Sequence, residues 1–306
     1  MINHIKYQIE YIENCNMCGA SMDNFQIMGK RLNRSQGKSP SKKIGITTTV
    51  CKCKSCNLIF ANPSMVPEEI NDHYGISPEE YWTEEYFDVD ENYFQGELKW
   101  MKKLMRCKKG MKSLDIGSGI GKQMNALGRA GFEPYGLEPS KSFYDRSINK
   151  FGISPDRLKF STIEKAEYKI DQFDFISFGA VLEHLYDPSL AISKAIRWLK
   201  PNGLVHIEVP SSDWLINRIA NTYYRIRGLD YVANISPMHP PFHQYEFSPK
   251  SFLLNSRING YTIKDHGYYV CKTYMPKLLD PVLSKIMSWN NSGMQLCIWL
   301  EKKNDH

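Results

Sequence analysis

The chain has 306 residues, enough for one large domain and one small one. Its 42% hydrophobic and 24% charged residues are ordinary for a soluble globular protein, and no apolar run reaches the length that a bilayer requires. The net charge of +6 permits anionic partners, such as sugar nucleotides or RNA, but does not require them. The first ten residues show no signal peptide, so we expect a cytoplasmic protein whose eight cysteines are reduced.

Two C-x-x-C pairs mark the N-terminal part of the chain. They supply four thiolates, a set that suits tetrahedral zinc and leaves no open position for catalysis; the four are Cys15, Cys18, Cys53 and Cys56. Cys51, two residues before Cys53, is a further thiol that could replace it as a ligand, although alternation along the strand favours a neighbouring position. Strand-like runs at 46–50 and 58–60 flank the second pair. We therefore expect residues 1–66 to form a zinc ribbon that holds structural Zn²⁺.

Residues 67–110 are rich in aromatic and acidic side chains. Aromatic residues interleaved with charged ones are typical of amphipathic helices that pack on a core. We expect this segment to be a helical bridge or lid between the ribbon and the rest of the chain.

A strand-like apolar run ends in three glycines at alternate positions, Gly117, Gly119 and Gly121. Such a turn needs positive φ and lets a ligand approach the backbone without meeting a Cβ atom. Glu138 ends the next strand about 20 residues later, where a carboxylate can bind the two hydroxyls of a ribose. The glycines follow G-x-G-x-G rather than G-x-G-x-x-G, and Asp115 precedes them, which argues against a nicotinamide dinucleotide.

Further strands and turns follow in a regular order. Residues 173–188 and 198–210 each combine an apolar strand with a loop or turn, and 261–269 and 294–300 are strand-like. Ser248 is a plausible helix cap, because Pro249 follows it at the first helical position.

These segments together resemble the class I S-adenosylmethionine (SAM) methyltransferases. The glycine turn matches motif I of that family, and the later segments match its second, fourth and fifth strands and its final antiparallel pair. The resemblance implies an α/β fold with a Rossmann-like seven-stranded sheet over residues 111–306. It also implies that residues 211–247 are an insertion on the substrate side.

The resemblance implies SAM as the cofactor and assigns its contacts residue by residue. Asp115 holds the turn or accepts a hydrogen bond from the ammonium group, Glu138 takes the ribose, and Ile163 lies where the family contacts adenine. The full set of expected cofactor residues is Asp115, Gly117, Gly119, Gly121, Glu138, Ile163, Phe178 and Gly179.

Two histidines are candidate bases. His184 follows the fourth strand and either accepts a proton or fixes its loop. His243 lies in the insertion, at a place where related sugar C-methyltransferases have a Glu-His pair ahead of Tyr-Phe. Here Phe242 replaces that Glu, and Glu246 begins the pair that replaces Tyr-Phe, which favours O- or N-methylation over carbon methylation. The remaining candidate substrate contacts are Tyr81, Tyr86, His239 and Tyr245.

The resemblance therefore predicts an enzyme that methylates a small-molecule or saccharide acceptor, as family members do in cell-surface glycan or secondary-metabolite pathways. An RNA methyltransferase is an alternative, but the acidic segment from Glu79 to Glu97 is a poor surface for phosphates. A zinc-ribbon scaffold without activity is a second alternative, which the presence of Asp115 and Glu138 disfavours. The acceptor atom and the oligomeric state are left open by the sequence.

Overall fold

The computed structural model describes residues 6–34, 45–68, 90–239, 242–271 and 278–303. The strands of this part of the chain are β1 (Tyr7–Glu10), β2 (Phe25–Leu32), β3 (Thr47–Cys53), β4 (Ile59–Ala61), β5 (Ser64–Pro67), β6 (Lys112–Ile116), β7 (Glu133–Glu138), β8 (Leu158–Phe160), β9 (Phe173–Gly179), β10 (Leu199–Pro210), β11 (Tyr245–Glu246), β12 (Tyr261–Tyr269) and β13 (Gln295–Lys302).

Its α-helices are α1 (Gln95–Leu104), α2 (Lys122–Arg129), α3 (Lys141–Phe151), α4 (Pro188–Trp198), α5 (Leu215–Ile226), α6 (Pro249–Asn259) and α7 (Asp280–Trp289). Single 3₁₀ turns occupy Met22–Asn24, Pro155–Arg157 and Leu182–His184. None of these helices is both long enough and apolar enough to span a bilayer.

Seven strands form one sheet in the order β12-β13-β10-β9-β6-β7-β8. Strands β6 to β10 are parallel to their neighbours in this group, whereas β13 is antiparallel to both β10 and β12. The middle strands are buried and rich in apolar residues, as expected when helices cover both faces of a parallel sheet. This is the seven-stranded α/β sheet that the sequence predicted, including its final antiparallel pair.

The N-terminal strands β2, β3 and β4 form a second, antiparallel sheet. Its fourth strand is β11, which comes from the predicted insertion and pairs with β4 through Tyr245 opposite Phe60. The insertion therefore contributes backbone to the sheet that carries the cysteines, a role that its sequence did not indicate. Strands β1 and β5 form a separate antiparallel pair.

Helix α6 begins as predicted, with Ser248 as its cap and Pro249 in its first turn. The Ser248 Oγ accepts a hydrogen bond from the backbone N–H of Ser251, and the Ser251 Oγ accepts one from the Ser248 N–H. Both hydroxyls also lie within hydrogen-bond distance of the Cys56 carbonyl oxygen, at 2.9 and 3.0 Å. This cap therefore joins α6 to the second cysteine pair.

We predict that Ser248→Ala lowers the free energy of unfolding by about 1–2 kcal/mol, because it removes both a helix cap and a buried donor. Chemical denaturation followed by circular dichroism measures this change. Ser256→Ala is the matched control, since the Ser256 hydroxyl donates only within its own helix, to Leu253. Equal destabilisation by the two variants would contradict the linking role of Ser248.

Candidate active site

A cavity of about 610 Å³ opens at the carboxyl ends of the parallel strands. This volume lies within the range of about 300–1,000 Å³ that small-molecule sites occupy. Its walls come from the turns after β6, β7 and β9, from α1, and from the ends of β10 and β12. In open α/β sheets this edge is where ligands bind.

Glu138 lies at the end of β7 with its carboxylate almost fully buried in the cavity wall. One carboxylate oxygen accepts the Gly119 N–H at 2.7 Å, and the other accepts the Ser140 N–H at 2.8 Å. Burial raises the pKa of Glu138 to about 8, although both backbone N–H groups favour the charged form. Each oxygen keeps a lone pair with which a ligand hydroxyl can interact.

The glycine turn has the conformation that its sequence predicted. Gly117 has a φ of 66°, and a Cβ at this position would lie 2.5 Å from a methyl group of Val181. Only glycine fits here, because both the backbone angle and the space exclude a side chain. Gly117 and Gly119 both line the cavity.

Gln123, on the first turn of α2, presents a buried polar group to the same cavity. Its side chain is 5% exposed, and its Nε2 has no hydrogen-bond partner within the described part of the chain. Buried donors are normally paired, so an orphaned one in a cavity wall fits a ligand that carries an acceptor. The sequence analysis did not single out this residue.

Five of the eight expected cofactor residues line the cavity. Besides Glu138, they are Gly117, Gly119, Ile163 and Gly179. The other three, Asp115, Gly121 and Phe178, are not part of the cavity wall. Asp115 is buried and accepts a hydrogen bond from the Ser177 hydroxyl at 3.0 Å, which ties β6 to β9 and supports a structural role. Its pKa is raised to about 7 by burial.

Gly121 and Phe178 contribute to packing rather than to the cavity wall. A Cβ on Gly121 would lie 2.6 Å from Ile153, so this glycine allows the start of α2 to approach the segment after α3. The Phe178 ring is fully buried in the main hydrophobic core, because alternation along β9 turns it away from the cavity edge. Phe178 was expected among the cofactor residues, and its ring does not line the cavity.

The two candidate bases lie side by side. His184 lines the cavity, and the His243 ring stacks edge-on behind it with centroids 5.0 Å apart. The His243 Nε2 is 4.0 Å from a carboxylate oxygen of Glu183, which is 1% exposed. Burial, reinforced by the neighbouring His184 and His239, lowers the pKa of His243 to about 3. His243 is thus neutral at neutral pH and stands one layer behind the cavity.

Burial also raises the pKa of Glu183 to about 8. A neutral carboxyl beside a neutral imidazole is the form that desolvation favours for this pair in the ligand-free protein. The side chains of Glu183, His184 and His243 together also have the spacing of a metal-binding group. Their possible ligand atoms all lie within 4.8 Å of one another.

The expected substrate contacts are not in the cavity wall as far as the structure describes them. Tyr245 is buried in the core, and its hydroxyl donates to the Tyr186 carbonyl at 2.9 Å, because pairing of β11 with β4 turns the ring inward. His239 is largely buried near Arg31 of the N-terminal sheet. Instead, Phe242 lines the cavity beside His184. Tyr81 and Tyr86 lie outside the described residues.

A second polar wall was missed by the sequence analysis. Glu97 on α1, Glu208 on β10 and Tyr269 on β12 all line the cavity. The Tyr269 hydroxyl donates to Glu97 at 2.6 Å, and burial together with Glu97 raises the pKa of Glu208 to about 7. These residues come from three distant segments, so only the folded chain brings them together.

The four predicted cysteines form one compact group. The Sγ atoms of Cys15 and Cys56 are 3.5 Å apart, and those of Cys18 and Cys53 are 3.7 Å apart. Tetrahedral zinc with bonds of about 2.3 Å separates its sulfur ligands by about 3.8 Å, so the geometry fits zinc and is too wide for disulfides. Cys51 lies outside this group of four.

The comparison with known families agrees with this architecture. A family model described as a methyltransferase domain matches residues 91–252, more than half of the chain. The protein belongs to this methyltransferase domain family. The predicted resemblance to class I SAM-dependent methyltransferases is thereby confirmed.

Curated relatives carry a more specific name. The chain is 28% identical over 136 residues to a ubiquinone biosynthesis O-methyltransferase of Bradyrhizobium diazoefficiens, covering 44% of this chain and 51% of that protein. It is 28% identical over 160 residues to the protein of the same name from Pseudomonas fluorescens strain SBW25, covering 51% and 66%. The chain thus matches about half to two-thirds of the length of these relatives.

Among solved structures, an S-adenosylmethionine-dependent methyltransferase from Mesorhizobium loti is similar over 67% of this chain and 97% of its own. The identity is 13% and the TM-score is 0.47.

Proposed function

We propose that this protein is an enzyme that transfers a methyl group from SAM to an oxygen or nitrogen atom of a small-molecule acceptor. The observation that carries the proposal is one cavity whose wall combines two sets of groups. The glycine turn and the buried Glu138 form one set, and His184, Glu208 and Tyr269 form the other.

We further propose that Glu138 binds the ribose hydroxyls of SAM and that Gly117 and Gly119 admit its methionine part. Gln123 offers an unpaired N–H that suits the carboxylate of that part. Ile163 and Gly179 also line the cavity and complete the proposed cofactor site. When bound, SAM supplies a methyl group already activated by a sulfonium.

The chain must then align the acceptor and take up its proton, and alignment alone can contribute about 7–11 kcal/mol to the barrier reduction. We assign proton acceptance to His184, since it is the imidazole that faces the cavity. His243 is a positioning residue, because it touches His184 and Glu183 and lies behind them.

An oxygen acceptor is supported by the names of the curated relatives, which are O-methyltransferases. It is also supported by Phe242 and Glu246. Phe242 stands in the cavity wall without a polar group, and Glu246 is buried away from it, with its Oε1 2.8 Å from the side-chain nitrogen of Asn234. The Glu-His pair associated with sugar C-methylation is therefore absent from the described cavity wall. A saccharide of a cell-surface glycan or secondary-metabolite pathway is the finer acceptor proposal, and it rests on the resemblance alone.

We propose the domain division 1–66, 67–110 and 111–306, with structural zinc bound by the four cysteines of the first segment and the protein located in the cytoplasm. The ligand set is supported by the spacing of the four sulfur atoms. Zinc here stabilises a small sheet and takes no part in the reaction, because four thiolates fill its coordination shell.

Release of S-adenosylhomocysteine from SAM tests the activity directly. Purified protein is incubated in parallel with phenolic and catecholic small molecules, with nucleotide sugars, and with total bacterial RNA. Turnover with either small-molecule pool supports the proposal. Turnover with RNA alone would show that the acceptor is RNA and not a small molecule. Absence of both turnover and SAM binding would favour the alternative of a scaffold without activity.

We predict that Glu138→Gln weakens SAM binding by about 1.5–3 kcal/mol, or roughly 10- to 150-fold, because it removes charge-assisted hydrogen bonds. A ribose prefers the ionised carboxylate, and the pKa of Glu138 is raised to about 8. The affinity of the wild type should therefore rise as the pH increases to about 8 and then level off, whereas Glu138→Gln should show little of this dependence. Isothermal titration calorimetry at several pH values measures both effects.

Glu133→Gln is the control for this experiment, since it makes the same change at the other end of β7, where Glu133 pairs with Arg157 on the surface. An affinity for SAM that is unchanged in Glu138→Gln would contradict the ribose assignment.

We predict that His184→Ala lowers kcat by about 10²- to 10⁴-fold while SAM binding is retained, because it removes the proton acceptor. His243→Ala should lower kcat less and shift the pH profile, and His243→Gln should restore part of the activity by filling the space behind His184. The exposed His266 provides the control variant His266→Ala. A His184 variant with full kcat would show that the acceptor loses its proton elsewhere.

We predict that Cys53→Ser combined with Cys56→Ser removes the zinc and destabilises the N-terminal sheet, because the free energy of metal binding adds to the stability of the folded state. Metal content by mass spectrometry and thermal unfolding measure the two effects. Cys107→Ser is the control, since Cys107 lies outside the group of four. Retention of about one zinc per chain in the double variant would show that the ligand set is wrong.

A further inference from the structure

Helix α5 carries an unusual outer face. Ile219, Tyr223 and Ile226 are all exposed, and Ile226 is 79% exposed. Their spacing of four and three residues places them in one stripe along the helix. The other side of α5 is packed against the protein through Asn217 and Tyr224, and Ile216 in its first turn is buried as well. The outer stripe is therefore not needed to hold the helix in place.

Arginines flank this stripe. Arg218 and Arg225 lie on α5 and Arg227 is its C-terminal cap, and the helix itself contains no acidic residue. No ion pair joins these three arginines to a carboxylate of the described residues. The Arg227 guanidinium instead donates to the Tyr223 hydroxyl at 2.8 Å. The outer face of α5 is therefore apolar along its centre and positively charged at its margins.

Helix α7 adds a second exposed stripe with the same spacing, formed by Val282, Ile286 and Trp289. Trp289 is 87% exposed, although tryptophan is among the side chains whose burial contributes most to stability. The inner side of α7 packs against the start of α5, where Met287 shares a small hydrophobic cluster with Trp214. The two stripes thus belong to neighbouring helices.

We infer that the outer faces of α5 and α7 form a docking surface for a lipid bilayer that carries anionic headgroups. An apolar stripe bordered by arginines, with an exposed tryptophan beside it, is the pattern of helices that lie in a membrane interface. The positive margins complement anionic lipid. They disfavour a second copy of the same surface, because two-fold pairing would bring like charges together.

This surface lies near several residues of the cavity wall. Helix α5 follows directly on β10, which carries Glu208, and Val270 joins the cluster between α5 and α7 while its neighbours Tyr269 and Cys271 line the cavity. A protein docked in this way presents its cavity close to the bilayer. The inference does not depend on the methyl-transfer proposal, since binding to vesicles requires no turnover.

Vesicle flotation of the zinc-loaded full chain tests the inference. Vesicles of phosphatidylcholine alone are compared with vesicles that also contain phosphatidylglycerol, at low and at high salt. We expect binding to the anionic vesicles that weakens with salt. Arg218→Gln with Arg225→Gln should reduce partitioning by roughly 30-fold, since each cation near an anionic surface contributes about fivefold. Ile219→Ser with Ile226→Ser should also reduce it strongly.

Two control variants make the same chemical changes elsewhere: Lys102→Gln with Lys103→Gln on α1, and Ile170→Ser at another exposed isoleucine. They should leave vesicle binding unchanged, and all variants should retain SAM binding. Failure to bind anionic vesicles, or equal loss in the control variants, would overturn the inference. A solution dimer that Ile219→Ser with Ile226→Ser dissociates, measured by sedimentation, would assign this face to a second copy instead.

Discussion

The buried carboxylate of Glu138 is the constraint on which the cavity depends. It receives one backbone N–H from the glycine turn after β6 and one from the first residue before α3, so it joins two successive βα connections at one point. The Ser118 N–H donates to the Leu137 carbonyl beside it and closes the turn against β7. Burying a carboxylate costs free energy when it has no hydrogen-bond partner, and these two backbone N–H groups offset part of that cost. The glycines are required because the turn must come this close.

Features fixed by local chemistry could be predicted from the sequence. The turn at Gly117 needs a residue without a Cβ, and the start of α6 needs a cap followed by a residue that suits the first helical turn. The spacing of the cysteines predicted that four thiols would lie close together, because a C-x-x-C pair brings two sulfur atoms together within one turn. In each case a short segment contains all the information, and the structure agrees with the prediction.

Features that depend on distant segments could not be predicted in the same way. The pairing of β11 with β4 turned Tyr245 into the core, and no local pattern reveals which edge a two-residue strand will join. Glu97, Glu208 and Tyr269 meet only because α1, β10 and β12 end near one another. The local sequence around each of these residues does not mark it as part of a site. Only the contacts between distant segments place the three residues in one cavity wall. The direction of the Phe178 ring was also beyond prediction, because it depends on the register of its strand.

The cysteine module also holds the loop that carries His184. The side-chain amide of Asn16, between the first two cysteines, donates to the Tyr186 carbonyl at 3.0 Å, and the Tyr245 hydroxyl donates to the same oxygen. The Gln244 N–H donates to the Glu183 carbonyl at 2.8 Å. The ribbon and the insertion therefore fix the backbone on both sides of His184. The cysteine-bearing sheet is thereby linked to the cavity, although none of the four cysteines lines it.

The pairing of β11 with β4 has a consequence for biosynthesis. Strand β4 leaves the ribosome early, but its partner is made only after the five parallel strands of the central sheet. Until then the growing chain carries an unprotected strand edge beside the cysteines, and such edges invite pairing with other chains.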